Sequence, residues 1–375
     1  MNNQKTGRNA KCWCGSDKKY KHCHYARETQ KPITKADAFK ASKKSAQRKG
    51  CYIAKDLFGE CEKKIINAHT VSKSGTLKAI ADDTNHVLGL KISLQNLFKK
   101  KGKLEPEKIG INQASTFKGF CSKHDKALFS CFEDRAFIGD EEQNFALMYR
   151  SVAKELYAKE GSLQSGSFLK EGDKGKNIFE QMSLQNFASR NMQALDTANN
   201  DLSEFKELLD GHLLNSNLDL CHVIFESSKV IPVVVSSVVS PITDFNGNRI
   251  QNLGDLTIKA ESVTFNTINS NGKGFVVFSW LKSSERIKDF ITSLLALDYV
   301  DIFSALVRFF FGLAENTFIS PQWWDSLEDN MRDKIKELIM SGVNPSTFEP
   351  DSLLVDDGIN YPGWTVDKVT KVNFL

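Results

Sequence analysis

The feature that most constrains the fold of this chain is a cluster of potential metal ligands near its start. Residues 11–24 read KCWCGSDKKYKHCH, and four of them follow the spacing C-x-C-x8-C-H: Cys12, Cys14, Cys23 and His24. Zinc in structural sites takes four such sulfur and nitrogen ligands in a tetrahedron. A segment this short cannot bury a core, so a bound metal must hold its fold. We therefore predict a zinc site here. His22 in the same loop is either an alternative ligand or a free surface histidine, and we favour the free histidine.

A second and less regular set of cysteines and histidines lies between residues 51 and 124. The C-x2-H spacing of Cys121 and His124 lets one helical turn present two ligands to one ion, and Cys51 and Cys61 can complete a group of four. We therefore expect two zinc ions per chain. His69, in the string NAHTVSK, is either a further zinc ligand or a histidine left free for another task.

The cysteines favour metal binding over disulfides. The chain has 8 cysteines in 375 residues, its first residues (MNNQKTGRNAKCWC) lack the apolar segment of a secretory signal, and several cysteines lie close to histidines. In a reducing compartment such a pattern indicates metal binding. No apolar run is long enough for a transmembrane helix, so we expect a cytoplasmic protein with no membrane partner.

Charge is concentrated at one end of the sequence. Residues 1–50 hold 14 Lys and Arg residues against 3 Asp and Glu residues, a net +11, whereas the whole chain carries +4. A basic arm on a mildly acidic remainder predicts binding to a polyanion, either nucleic acid or a ribosome. The alternative is a solvated tail that only aids solubility.

The pattern of hydrophobic residues predicts an α+β fold. Residues 32–49 read as a basic helix with Thr34 as its N-cap, and residues 141–160 as a long helix interrupted by a Gly-rich segment at 161–176. Strands are predicted at 218–225, 230–239, 256–265 and 275–280, which gives an antiparallel sheet with helices beside it. We divide the chain into a zinc motif (1–30), a basic helical linker (31–50), a Cys/His zinc module (51–139) and a domain of helices and antiparallel sheet (140–375).

The first metal segment resembles the SEC-C motif, which occurs at the C-terminus of the SecA translocase and in many unrelated bacterial proteins. The resemblance rests on GRN before Cys12, then C-x-C-G-S, KKYK and the adjacent Cys23-His24, about 20 residues in all. Trp13 stands where the family usually has Pro, and Asp17 where Gly is common. The resemblance implies zinc and docking to a protein chaperone or ribosome. It does not imply translocase activity, since no G-x-x-x-x-G-K-[ST] loop is present.

The middle module loosely resembles HNH nucleases in the order of its strings AHT and FCSKHDK. In that family a strand-borne histidine activates water and a following helix contributes metal ligands, which implies His69 as general base and either His124 or Asp125 as the residue that holds a catalytic metal such as Mg²⁺. The match departs from the family in the long separation of His69 from Cys121 and in its central Asn, for which Asn85 and Asn112 are both weak candidates. The alternative is a purely structural zinc knuckle.

Three functions remain open from the sequence. The first is a zinc-stabilised, HNH-like nuclease or a related defence or toxin effector. The second is a non-enzymatic adaptor that docks to a ribosome or a protein through its SEC-C motif. The third is a hydrolase whose site lies in the C-terminal half. A metal-bound or buried His69 would favour the adaptor, and a His69 exposed beside metal-binding oxygens would favour the nuclease.

Overall fold

The computed structural model describes residues 6–62, 64–343 and 350–374. The chain forms two compact units, each built from two separate stretches of sequence. Unit 1 joins Met1–Arg48 to Tyr157–Asn200, and unit 2 joins Lys49–Leu156 to Asp201–Leu375. The chain passes from one unit to the other three times, after Arg48, after Leu156 and after Asn200.

Helices supply both units, while the main sheet belongs to unit 2. No helix in the described ranges combines the length and the apolar character that a membrane crossing needs. The α-helices are α1 (Lys35–Ala46), α2 (Lys78–Ile80), α3 (Leu94–Lys99), α4 (Ser122–Glu133), α5 (Glu141–Leu169), α6 (Ile178–Asn215), α7 (Glu285–Leu295), α8 (Tyr299–Leu313), α9 (Pro321–Ser326), α10 (Asp329–Val343) and α11 (Pro350–Leu353).

Every strand pair among the described residues of unit 2 is antiparallel. These strands form an eight-stranded sheet in the order β10-β5-β8-β7-β6-β9-β2-β3 and a separate pair, β1-β4. The strands are β1 (Ala68–His69), β2 (His86–Gly89), β3 (Glu107–Gly110), β4 (Thr116–Phe117), β5 (Leu220–Ser227), β6 (Val233–Val239), β7 (Val263–Ser270), β8 (Lys273–Leu281), β9 (Thr317–Ile319) and β10 (Lys368–Val372).

The central strands of the sheet are covered on both faces. Successive residues of β5, β7 and β8 are buried, which requires packing on each side of the sheet. Helix α8 is buried along most of its length. The centroid of its Phe309 ring lies 4.5 Å from the ring centroid of Phe265 and 5.8 Å from that of Phe278. The α+β class predicted from the sequence is thus confirmed.

One predicted stretch of strand is wrong. Residues 251–262 form turns, and Leu256 and Ile258 are exposed, although they alternate with polar residues. The Asp255 carboxylate accepts the backbone N–H of Thr257 at 3.0 Å, and the Asp255 carbonyl accepts that of Ile258 at 3.2 Å. These local bonds use the donors that a sheet ladder would need.

Helix α1 begins where the sequence predicts. The backbone N–H of Asp37 donates to the Thr34 hydroxyl at 3.1 Å, and the N–H of Thr34 donates to the Asp37 carboxylate at 3.0 Å. This reciprocal pair is a capping box, which satisfies two backbone donors that a helix start leaves free.

The predicted interruption after residue 160 is wrong, because α5 continues to Leu169. A side chain at Gly166 would begin only 2.5 Å from the sulfur of Met192 on α6. Glycine at this point therefore permits a close approach of two helices within unit 1 and does not end the helix.

Candidate metal centres

The structure brings the four predicted ligands of the first group together. Their ligand atoms all lie within 4.8 Å of one another. The Sγ atoms of Cys14 and Cys23 are 3.5 Å apart, and Nδ1 of His24 lies 3.2 Å from Sγ of Cys12 and 3.1 Å from Sγ of Cys23. Metal–ligand bonds of about 2.0–2.3 Å place the corners of a zinc tetrahedron roughly 3.5–3.8 Å apart. The spacing therefore fits one small tetrahedral cation with only slight expansion.

The backbone conformation of the loop shapes this first group. The N–H of Cys12 donates to the carbonyl of Lys18 at 2.8 Å, and Gly15 adopts a positive φ of 75° in the tight turn after Cys14. A short 3-10 turn at Tyr20–His22 follows, and it places Cys23 and His24 next to Cys12 and Cys14. His22 itself is exposed and lies outside the group.

A buried carboxylate supports the histidine ligand of the first group. Asp173, whose side chain is 0% exposed, places Oδ2 2.8 Å from Nε2 of His24. It also accepts Nε of Arg27 at 2.6 Å and Nε2 of Gln185 at 2.7 Å. Because an ionised carboxylate only accepts, Nε2 of His24 carries the proton and Nδ1 is left for the metal. Sequence reasoning missed Asp173, which lies 149 residues after His24.

The second group has the same donor set. Nδ1 of His124 lies 3.5 Å from Sγ of Cys51, 3.5 Å from Sγ of Cys61 and 3.3 Å from Sγ of Cys121. Cys121 is the N-cap of α4, and an isolated antiparallel bridge pairs it with Ile65, just ahead of β1. The turn of helix from Cys121 to His124 thus presents two ligands, as the C-x2-H spacing predicts.

The two groups differ in how their histidines are supported. Nε2 of His24 has the Asp173 carboxylate as its partner. Nε2 of His124 is buried and has no hydrogen-bond partner within the described part of the chain. Only the first group therefore holds its histidine in the carboxylate–histidine arrangement that strengthens metal ligation.

In each group one cysteine keeps its proton at neutral pH unless a cation binds. Burial raises the pKa of the Cys12 thiol to about 12 and that of the Cys51 thiol to about 12. Both groups would hold protons at neutral pH, and a metal ion would displace those protons as it binds. The chemistry of the two donor sets is consistent with zinc.

His69 is not part of either group. It ends β1, is half-buried, and has Nε2 3.0 Å from the carbonyl oxygen of Ile111. A carbonyl only accepts, so Nε2 carries the proton and Nδ1 keeps a lone pair. Burial lowers the pKa of His69, with the nearby Lys73 acting in the same direction, which keeps the ring neutral at pH 7.

Asp125 follows the His124 ligand but does not join its group. Burial raises the pKa of Asp125 to about 6, and its carboxylate lies 4.0 Å from Nη2 of the fully buried Arg150. Arg150 in turn donates through Nη1 to Glu133 at 2.7 Å. Across residues 6–62, 64–343 and 350–374, the two Cys/His groups are the only sets of three or more Cys, His, Asp or Glu side chains close enough to hold a metal.

Comparison with known proteins identifies one feature of the chain. The profile of the SEC-C motif family matches residues 8–26, the segment that holds the first group. No curated protein matches the chain, and no solved structure matches it either. Nothing in these comparisons supports the HNH resemblance of the middle module. The SEC-C resemblance inferred from Cys12 to His24 is confirmed.

Proposed function

We propose that this chain is a zinc-stabilised adaptor that binds nucleic acid, free or within a ribosome, through unit 1. The observation that carries the proposal is the charge of this unit. Residues 1–48 hold 13 Lys and Arg residues against 3 Asp and Glu residues, and residues 157–200 are balanced at 5 of each. The net +10 contrasts with +4 for the whole chain, so unit 2 is acidic. An excess of cations on one unit attracts phosphates.

The cations of unit 1 are arranged where a polyanion can reach them. Lys40, Lys43 and Lys44 are exposed on α1 at the spacing i, i+3 and i+4, which places them on one face of the helix. Lys18, Lys19 and Lys21 are exposed on the loop of the first metal group. Phosphate contacts made by such lysines provide affinity that does not depend on sequence.

The metal groups support a binding role more than a catalytic one. Each offers four protein ligands, and a zinc ion with four protein ligands has no open position for water or substrate. In unit 1 the buried Asp173 ties the metal loop to the segment that follows α5. A metal and a buried carboxylate together hold the lysine-bearing loop in one shape, which lowers the entropy lost on binding.

The lysine face of α1 gives the first prediction. Replacing Lys40, Lys43 and Lys44 together by Gln is expected to weaken binding to a fluorescent RNA oligomer at low salt. The slope of log affinity against log salt should become shallower by roughly two for three lost phosphate contacts on a single strand. Fluorescence anisotropy over a series of salt concentrations measures both quantities.

The matched control removes the same charge from unit 2. Lys126, Lys229 and Lys282 are exposed there, and their triple replacement by Gln changes the net charge of the chain by the same amount. We expect this control to leave the salt slope nearly unchanged. If both triple variants lost the same RNA affinity, net charge alone would explain the binding. The lysine face of α1 would then not be the binding surface.

A second candidate function is metal-dependent cleavage of nucleic acid by an HNH-like nuclease or effector, and His69 is the observation that favours it. A neutral imidazole with Nε2 held by a carbonyl and Nδ1 available is suited to act as a general base on water. Such chemistry uses a Mg²⁺ ion to stabilise charge on the phosphate. Asp125 was the expected neighbour, yet it belongs to no described group of three metal-binding side chains. The adaptor is therefore the better supported function.

The substitution His69→Ala tests this second candidate. We expect the parent protein and the variant to show equally little Mg²⁺-dependent cleavage of RNA or DNA, and both to retain two zinc ions per chain. The variant should lose about 1–2 kcal/mol of stability, because the carbonyl of the buried Ile111 loses its donor. Elemental analysis and thermal unfolding measure these outcomes. Cleavage by the parent that the zinc-replete variant lacks would establish the nuclease instead.

A further inference from the structure

We propose that the loop of the first metal group binds unpaired nucleobases by stacking on Tyr25, so that the partner is single-stranded nucleic acid. The inference rests on the proposed nucleic-acid binding and names the class of nucleic acid. Tyr25 directly follows the ligand His24, yet 49% of its surface is exposed. An aromatic side chain so exposed, beside a residue that a metal would fix, contributes little to the core and is held in place to contact something else.

The ring of Tyr25 already lies in a stacked arrangement with a cation. The guanidinium carbon of Arg8 is 4.6 Å from the centroid of the Tyr25 ring, and Tyr20 meets Tyr25 edge-on at 5.9 Å. The backbone N–H of Tyr25 donates to the carbonyl of Tyr20 at 3.0 Å, which fixes the start of the side chain. An aromatic ring and a guanidinium both offer flat surfaces on which bases stack.

Further cations lie on the stretch of backbone beside Arg8. The backbone N–H of Lys21 donates to the carbonyl of Arg8 at 3.0 Å, so the two charged residues lie on adjacent stretches of backbone. Lys19 is exposed two residues before Lys21. A base that stacks on Tyr25 would therefore have cations within reach of its flanking phosphates, which is the combination that single-strand binding proteins use.

The chemistry of the platform favours unpaired over paired nucleic acid. In a duplex each base is covered on both faces by its neighbours, whereas single strands, loops and bulges offer free faces. A protein partner would call for a wide apolar patch. Within residues 6–26, Tyr25 is the sole large hydrophobic side chain that is exposed to solvent, and the residues near it in the sequence are basic. The observations therefore favour a nucleobase over an apolar peptide.

The experiment uses the full chain and three fluorescent probes of equal length: an adenine-rich single-stranded RNA, a blunt RNA duplex and an abasic strand. We expect Tyr25→Ala to weaken binding of the single strand by about tenfold, the effect of losing one stacked base. Binding of the duplex and of the abasic strand should change less than about twofold. Tyr25→Phe keeps the ring and should retain the affinity of the parent. Zinc content and thermal unfolding of both variants verify that the neighbouring His24 still holds its metal.

The outcomes separate this inference from the proposed function. If Tyr25→Ala changes no probe while the triple lysine variant of α1 weakens all of them, the stacking platform is overturned and polyanion binding stands. If the parent protein binds none of the probes at low salt, the proposed nucleic-acid binding is itself refuted, and the stacking platform with it. If the parent binds an acidic peptide more tightly than any of the strands, and Tyr25→Ala abolishes that binding, the platform serves a protein and the inference is overturned.

Discussion

Cys121→Ser is expected to release one of the two metal ions and to unfold the part of unit 2 around α4. Cys121 is fully buried and is both a predicted metal ligand and the N-cap of that helix. Structural zinc contributes about 10–16 kcal/mol of apparent binding free energy in zinc-finger peptides, as much as the whole stability of many domains. Even a fraction of this loss would lower the melting temperature of the chain by about 10 °C or more. Elemental analysis and circular dichroism on heating measure the two effects.

The control for this variant lies on the same helix. Cys131 is also buried, but its thiol donates to the carbonyl of Leu128 and belongs to neither metal group. We expect Cys131→Ser to keep both ions and to cost only about 1–2 kcal/mol, the usual scale for a polar change in a core. A Cys121→Ser protein that retains two ions per chain would refute the second metal group.

Asp173→Asn is expected to weaken metal binding by the first group about 10- to 100-fold, although residue 173 touches no metal. The neutral amide cannot neutralise Arg27, and it no longer draws the proton of His24 toward Nε2 as strongly. Loss of such a support for a histidine ligand has an effect of this size. Competition with a chromophoric chelator measures the affinity, and the second group provides an internal standard in the same protein.

Glu171→Gln is the matched comparison for Asp173→Asn. Glu171 lies two residues earlier and approaches Arg27 at 3.5 Å, but it has no hydrogen bond to His24. The substitution Glu171→Gln removes one negative charge from the same segment. We expect its metal affinity to stay within about twofold of that of the parent protein, because surface ion pairs contribute little. Similar losses in both variants would mean that local charge, rather than the bond to His24, controls the metal.

The grouping of the Cys and His side chains could be predicted from the sequence most directly where their spacing is local. Cys12, Cys14, Cys23 and His24 lie within thirteen residues, and the C-x2-H pair spans one helical turn. Thr34 and Asp37 likewise form a cap whose two partners are three residues apart. Such signals depend on short-range geometry, which sequence spacing records directly.

Two of the features that the sequence did not reveal depend on distant partners, and a third depends on a local turn. Asp173 is one of many acidic residues until the fold places it against His24. Gly166 looks like a helix breaker until Met192 is seen beside it. The alternation of Leu256 and Ile258 has the period of a strand, but the turn at Asp255 uses the backbone donors first. In each case a long-range contact or a local hydrogen bond decides what the sequence pattern alone could not.

Unit 1 is assembled from the first 48 residues and from residues 157–200, and this has a consequence during protein synthesis. A ribosome adds about 5–20 residues per second, so Asp173 is made roughly 7–30 s after His24, from which 149 positions separate it. For that interval the nascent motif has all four of its ligands but lacks the carboxylate that orients one of them. Such a motif would capture a metal ion early but hold it loosely, and would retain the ion firmly only once the later segment has been translated.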